Sequence, residues 1–266
     1  VPDLTQKEMD AIHARYAVDC HERAKYHGKT MDYIASQSKR ALDEFALKIK
    51  NPAYKPADLW GELTKYRQKD TSGVTGPSIR KALRKFLEKE QNHLCCYCQR
   101  PLVNIAHAKP IEHILPRVDF VQYTFEFWNL AVSCFDCNQI KLDAVWADDD
   151  KKDQAAYPGS GTFNEMYHPR FHRFSEHVRF IRVQTNDHLI SLYVGISEQG
   201  RHLCLNLLKD LSAREIVLNS NPQLKNALEV INAYAAANEG NLPPAIEDLQ
   251  KAFARSTAAL IKGHSH

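Results

Sequence analysis

Apolar residues recur at helical spacing through the first ninety or so positions, lose that period in the middle of the chain, and regain it near the end. Met9, Ile12, Tyr16 and Cys20 share one face of a predicted helix. Thr5-Gln6-Lys7-Glu8 opens it as a capping box, in which hydroxyl and carboxylate each satisfy an orphan backbone N–H. A second helix turns Tyr33, Ile34, Ala41, Phe45 and Ile49 inward and ends at Asn51-Pro52. A short helix follows Pro56, with Leu59, Leu63 and Tyr66 inward. Asp70 to Gly73 and Gly76-Pro77 mark a loop. Ser78 then caps a helix from about Ile79 to Gln91, apolar along Leu83, Phe86 and Leu87.

From about His93 to His177 the elements are short and turn residues frequent. Glu112-His113 reads as a short strand, and Cys137-Asn138 as the opening of a helix through Leu142. Asp148 to Asp153 and Pro158 to Gly161 read as surface loops. Alternation returns in Arg179 to Val183 and His188 to Val194, two strands joined across Gln184 to Asp187. Helices are expected near Gly200 to Leu211, Pro222 to Asn238 and Ala245 to Ile261, the last with Pro243-Pro244 near its first turn. The pattern predicts an α+β chain, mostly helical, in three regions: 1–92 helical, 93–178 loop-rich, and 179–266 a hairpin followed by helices.

Composition narrows the class without deciding it. Hydrophobic residues make up 44% and charged residues 25%, ordinary for a water-soluble protein. No apolar run approaches the ~18 residues of a membrane span. No signal-peptide pattern opens the chain, which points to the cytoplasm. A net charge of +3 does not by itself call for nucleic acid. The distribution adds something: Arg80, Lys81, Arg84 and Lys85 share a helical face, and Arg170, His172, Arg173, His177, Arg179 and Arg182 cluster later. Either is a solvated face by default and a phosphate-binding face beside a nuclease-like motif.

The seven cysteines change the picture most. Cys95 with Cys98, and Cys134 with Cys137, form two CxxC pairs, each a knuckle that points two thiolates at one ion. A secreted chain would oxidise such thiols; a cytosolic one keeps them reduced, and paired CxxC then favours metal. Four thiolates leave no open position, so the zinc is structural, a substitute for the core that a short loop-rich region lacks. Cys96 breaks the CxxC spacing and is expected not to ligate, while Cys20 and Cys204 read as core thiols.

Between and just after the pairs stand the residues a phosphodiesterase needs. His113 is the candidate general base for an attacking water. Glu112 and Asn138 offer oxygen ligands to a hard cation, Mg²⁺ or Mn²⁺, which would stabilise charge on the leaving oxygen. Adjacent strand residues point to opposite faces, so Glu112 and His113 need a bent strand to meet at one centre. Asn138 is otherwise a helix N-cap. Lys141, a turn further on, is a candidate phosphate contact, and Asn129 is placed to pin the loop that shapes the His113 pocket.

Framed by the four cysteines, Glu112-His113, Asn129 and Asn138 resemble the HNH, or ββα-metal, nuclease motif in the form whose last His is Asn. The resemblance implies a zinc-stabilised strand pair and helix around one divalent cation. It implies His113 as base, Glu112 and Asn138 as cation ligands, and Asn129 in a structural role. Within that group, Cys95-Cys96-Tyr97-Cys98-Gln99, Ile111 to Pro116, Asn129-Leu130, Cys134 to Lys141 and Tyr167-His168-Pro169-Arg170 are most similar to the HNH subunits of Septu-type and retron-associated anti-phage defence systems. That likeness implies a nucleic-acid substrate, DNA ahead of RNA. It also implies an ABC-like ATPase partner and, in a retron setting, a reverse transcriptase. The match covers about residues 93 to 210, and Glu112 stands where many HNH proteins have Asp or His. His168, before Pro169, is a candidate further site residue and, by default, a histidine on a surface turn. The alternative to a nuclease is a non-catalytic, zinc-stabilised module that binds nucleic acid or docks a partner.

Overall fold

The computed structural model describes residues 4–102, 109–184, 189–219 and 222–238, with 243–246, 248–249 and 252. Four helices come first: α1 (Gln6–Asp19), α2 (His27–Lys50), α3 (Leu59–Lys65) and α4 (Gly76–Glu90). The capping box of α1 is formed: Glu8 N donates to Thr5 Oγ1 at 3.3 Å, and Thr5 N to Glu8 Oε2 at 2.8 Å. The cap of α4 is Thr75 rather than Ser78; Ser78 is its partner at the third helical position. Gly76 lets α3 and α4 meet, since a Cβ there would sit 1.7 Å from the Leu63 carbonyl oxygen. Ile49, expected inside, is 51% exposed on the last turn of α2.

The middle region holds β1 (Ile111–His113), β2 (Leu130–Val132) and α5 (Phe135–Lys141), with β1 and β2 antiparallel. After the short α6 (Phe174–His177) come β3 (Val178–Gln184) and β4 (Leu189–Gly195), a second antiparallel pair. Most of their expected turn lies outside the described residues. Next is α7 (Glu198–Leu203), capped by Ser197. It runs on through one π-helical stretch, Cys204–Leu208, into α8 (Lys209–Asn219), so the helix expected over 200–211 is longer and interrupted. Then comes α9 (Pro222–Ala237); most of the helix expected over 245–261 lies outside the described residues. The chain is thus α+β, with two small antiparallel sheets among the described residues. Among the described residues no helix is long and apolar enough to cross a membrane.

One core runs through all three regions, from Tyr16 of α1 through Leu87, Tyr97, Leu115 and Val132 to Leu207 and Leu211. A second cluster joins Ala41, Phe45, Leu59, Leu63 and Ile79 to Val121 and Phe125, setting α2 and α3 against the loop between β1 and β2. Ion pairs tie the C-terminal helices to the knuckles: Arg100 reaches Asp136 at 3.0 Å and Glu215 at 2.8 Å, and Arg214 reaches Asp136 at 3.0 Å. The acidic stretch is a turn rather than an open loop, folded over Lys151, which is buried and pairs with Glu165 at 2.8 Å.

Candidate zinc centre and hairpin site

Cys95, Cys98, Cys134 and Cys137 converge, with all four sulfurs within 4.8 Å of one another. The first knuckle closes where Cys95 N donates to the Arg100 carbonyl at 2.8 Å, with Gln99 at φ 57°. The second is the first turn of α5: Cys134 is its N-cap, and Cys137 N points at Cys134 Sγ at 3.5 Å. Cys134 N points at Cys95 Sγ at 3.2 Å, so backbone dipoles from one knuckle face sulfur of the other. Cys98 Sγ and Cys134 Sγ lie 3.7 Å apart, against about 3.8 Å for two sulfurs on a tetrahedral zinc with ~2.3 Å bonds. All seven thiols are free of disulfides, and Cys96, although buried, stands outside the group. Soft, closed, fourfold thiolate coordination fits a structural zinc.

The β1–β2 pair rests on this centre. Cys96 N donates to the Val132 carbonyl at 3.1 Å, and Gln91 exchanges bonds with Val132 at 2.7 and 2.8 Å. The register sets Glu112 opposite Ala131 and His113 opposite Leu130. Alternation along β1 separates the two side chains. Glu112 turns to Tyr97 and Lys141: its Oε1 accepts from Tyr97 Oη at 3.3 Å and pairs with Lys141 Nζ at 2.8 Å. Burial raises its pKa, with Lys141 and Tyr97 opposing.

His113 turns to the other side, edge-on to Trp60 of α3 at 4.6 Å between ring centres. Its Nε2 lies 3.0 Å from the Thr124 carbonyl oxygen, which only accepts. Nε2 therefore carries the proton and Nδ1 the lone pair. Burial pushes the imidazole down to about 3; Arg117 and Lys141 add to the drop, and the Thr124 carbonyl opposes it.

Asn129 holds the loop, as its place in the sequence predicts. Fully buried, it donates through Nδ2 to the carbonyls of Leu115 (3.0 Å) and Tyr123 (3.1 Å). Its Oδ1 accepts from Leu115 N at 2.7 Å and Tyr157 Oη at 3.2 Å.

Three assignments need correction. Asn138 lies inside α5 rather than at its cap, half-exposed, its backbone already within the helix ladder. Lys141 is no surface phosphate contact: its side chain is 0% exposed, paired with Glu112 and 5.3 Å from the Trp146 ring centre. The reason is the Glu112 carboxylate, whose burial requires a cation beside it. The same pair means that the donor set expected for Mg²⁺ or Mn²⁺ does not fit these contacts, because its one carboxylate is already neutralised. His168, finally, is not on a surface turn but fully buried.

The basic clusters fare unequally. On α4, Lys81 and Lys85 are exposed while Arg80 and Arg84 are half-buried, and Lys81 pairs with Glu22 at 2.7 Å. Arg170 and His172 are inside, Arg170 lying 4.8 and 4.9 Å from the ring centres of Phe127 and Trp128. Sequence patterning assigns no role to Trp60, Tyr97 or Tyr157. Only Tyr97, between the knuckle cysteines, carried a local signal. Comparison with protein-family models, curated proteins and solved structures found no match.

Proposed function

We propose that the chain is an HNH-type endonuclease that hydrolyses phosphodiester bonds in nucleic acid. The observation that carries the reading is His113. It sits on an antiparallel strand pair braced by the cysteine centre, with Nε2 pinned by a carbonyl and Nδ1 hydrogen-bonded to no described residue. In that tautomer Nδ1 takes a proton from a water attacking phosphorus. The depressed pKa keeps the ring neutral at physiological pH, the form a base requires. An approaching phosphate anion favours the protonated form and so strengthens the base as the reaction proceeds. The exposed Lys81 and Lys85 supply a phosphate-facing surface on α4, with Arg80 and Arg84 beside them. The Mg²⁺ or Mn²⁺ that the HNH likeness implies is assigned no step, since Lys141 holds Glu112. DNA ahead of RNA as substrate, and an ATPase partner with or without a reverse transcriptase in an anti-phage complex, rest on the sequence likeness alone.

The buried Glu112–Lys141 pair favours a second reading, a zinc-stabilised module that binds nucleic acid without cutting it. One assay separates them: cleavage of plasmid DNA and total tRNA, with and without Mg²⁺ or Mn²⁺, beside His113→Ala. Cutting by wild type and not by the variant supports the nuclease. Salt-sensitive binding with no cutting, including with a co-purified ATPase, supports the module.

A further inference from the structure

We propose that Tyr157 and His168 are positioning residues: they clamp Asn129, and through it hold the 115–124 loop so that the Thr124 carbonyl fixes the His113 tautomer. The inference rests on the reading of His113 as the base.

Proton bookkeeping gives the chain one direction. His168 Nδ1 accepts from Arg170 N at 3.3 Å, so in the neutral ring the proton is on Nε2. Burial drives the His168 pKa well below its usual range, which keeps the ring neutral. Nε2 donates to Tyr157 Oη at 2.8 Å, and the Tyr157 hydroxyl, its own proton free, donates to Asn129 Oδ1 at 3.2 Å. The amide cannot be flipped, because Nδ2 faces two carbonyls and Oδ1 faces the Leu115 N–H. The loop that Asn129 grips at Leu115 and Tyr123 ends at Thr124, whose carbonyl meets His113.

Each member is held in turn. The His168 ring stacks on Phe171 at 4.1 Å and lies 4.4 Å from Phe163, and its backbone N–H donates to His172 Nδ1 at 3.0 Å. Tyr157 stands edge-on to Tyr123 at 5.0 Å, and the one Tyr123 hydroxyl proton is shared between the Gln154 and Ala156 carbonyls, 2.6 and 2.9 Å from Oη. Phenylalanine would fill this aromatic wedge as well. Polar rings there cost desolvation, which a directed chain of hydrogen bonds offsets and packing alone does not require.

The test uses the full-length zinc-loaded protein with Tyr157→Phe, which removes one oxygen, and His168→Gln, which keeps a donor. The readouts are the ¹⁵N signals of the His113 ring, assigned by their loss in His113→Ala, together with zinc content and cleavage kinetics. Tyr157→Phe should move the His113 signals away from the pure Nε2–H tautomer. It should lower kcat about 10- to 100-fold with KM and zinc unchanged. His168→Gln should restore most of both relative to His168→Ala. Unchanged ring signals in Tyr157→Phe would overturn the proposal, as would loss of zinc or of a cooperative unfolding transition along with them. If the wild type cuts nothing even with a co-purified ATPase, the nuclease reading fails, and the ring signals still decide whether the clamp sets the tautomer.

Discussion

Replacing Lys141 by methionine removes an ammonium with 0% side-chain exposure from a carboxylate with 5%, across a 2.8 Å contact. At an effective dielectric of ~20 the lost attraction is about 6 kcal/mol gross. Relief of the lysine's own desolvation offsets part of this, leaving a net cost of about 3–5 kcal/mol, typical when one member of a buried pair is removed. For a chain of this size that is a fall in Tm of roughly 6–20 °C. Glu112→Gln with Lys141→Met should recover part of the loss, because no buried charge is left alone. The sign with pH is also fixed. Without Lys141, the Glu112 pKa, already raised by burial, rises further above its unfolded value. A raised carboxylate stabilises below the unfolded pKa, about 4.3, and that contribution is lost as pH rises through the folded value. The variant should therefore regain stability against wild type as pH falls through that raised folded value toward about 4.3. Urea unfolding of the zinc-loaded proteins across that range is the assay. A cost for Lys141→Met under about 1 kcal/mol, or a double variant that merely sums the two singles, would refute the reasoning.

Metal analysis should find one zinc per chain, lost in Cys98→Ser or Cys134→Ser and kept in Cys96→Ser, since only the first two belong to the converging group. Chelation should then cost the middle region its near-UV signal. Asn129→Ala leaves buried Leu115 and Tyr123 carbonyls and the Leu115 N–H unmatched, and should cost about 2–3 kcal/mol in denaturant unfolding. Gly76→Ala should destabilise by more than the usual helix preference for alanine gains, because the Leu63 carbonyl occupies the Cβ position; a rise in Tm would contradict that packing.

The legible parts of this chain were local. Thr5 and Glu8 are three residues apart, and a cap is built from neighbours, so the start of α1 could be read directly. The Ser78 assignment missed by three positions because Thr75 and Ser78 both cap well, and only the backbone shows where helical dihedrals begin. The cysteine pairs were legible because a knuckle is a local turn whose spacing sets where its sulfurs point. The role of Asn129 followed from its place between strand and knuckle.

The sequence by itself determined the four converging cysteines, the strand that carries His113 and the loop-holding amide. Each depends on spacing within a few residues, where backbone geometry leaves little freedom. Only the tertiary structure decided that Lys141 neutralises Glu112, that Trp60 walls His113, and that His168 lies buried behind Tyr157 and Asn129. Those contacts join residues far apart in the chain, and they are settled by desolvation: a buried charge or ring nitrogen takes whichever partner the packed core brings within reach.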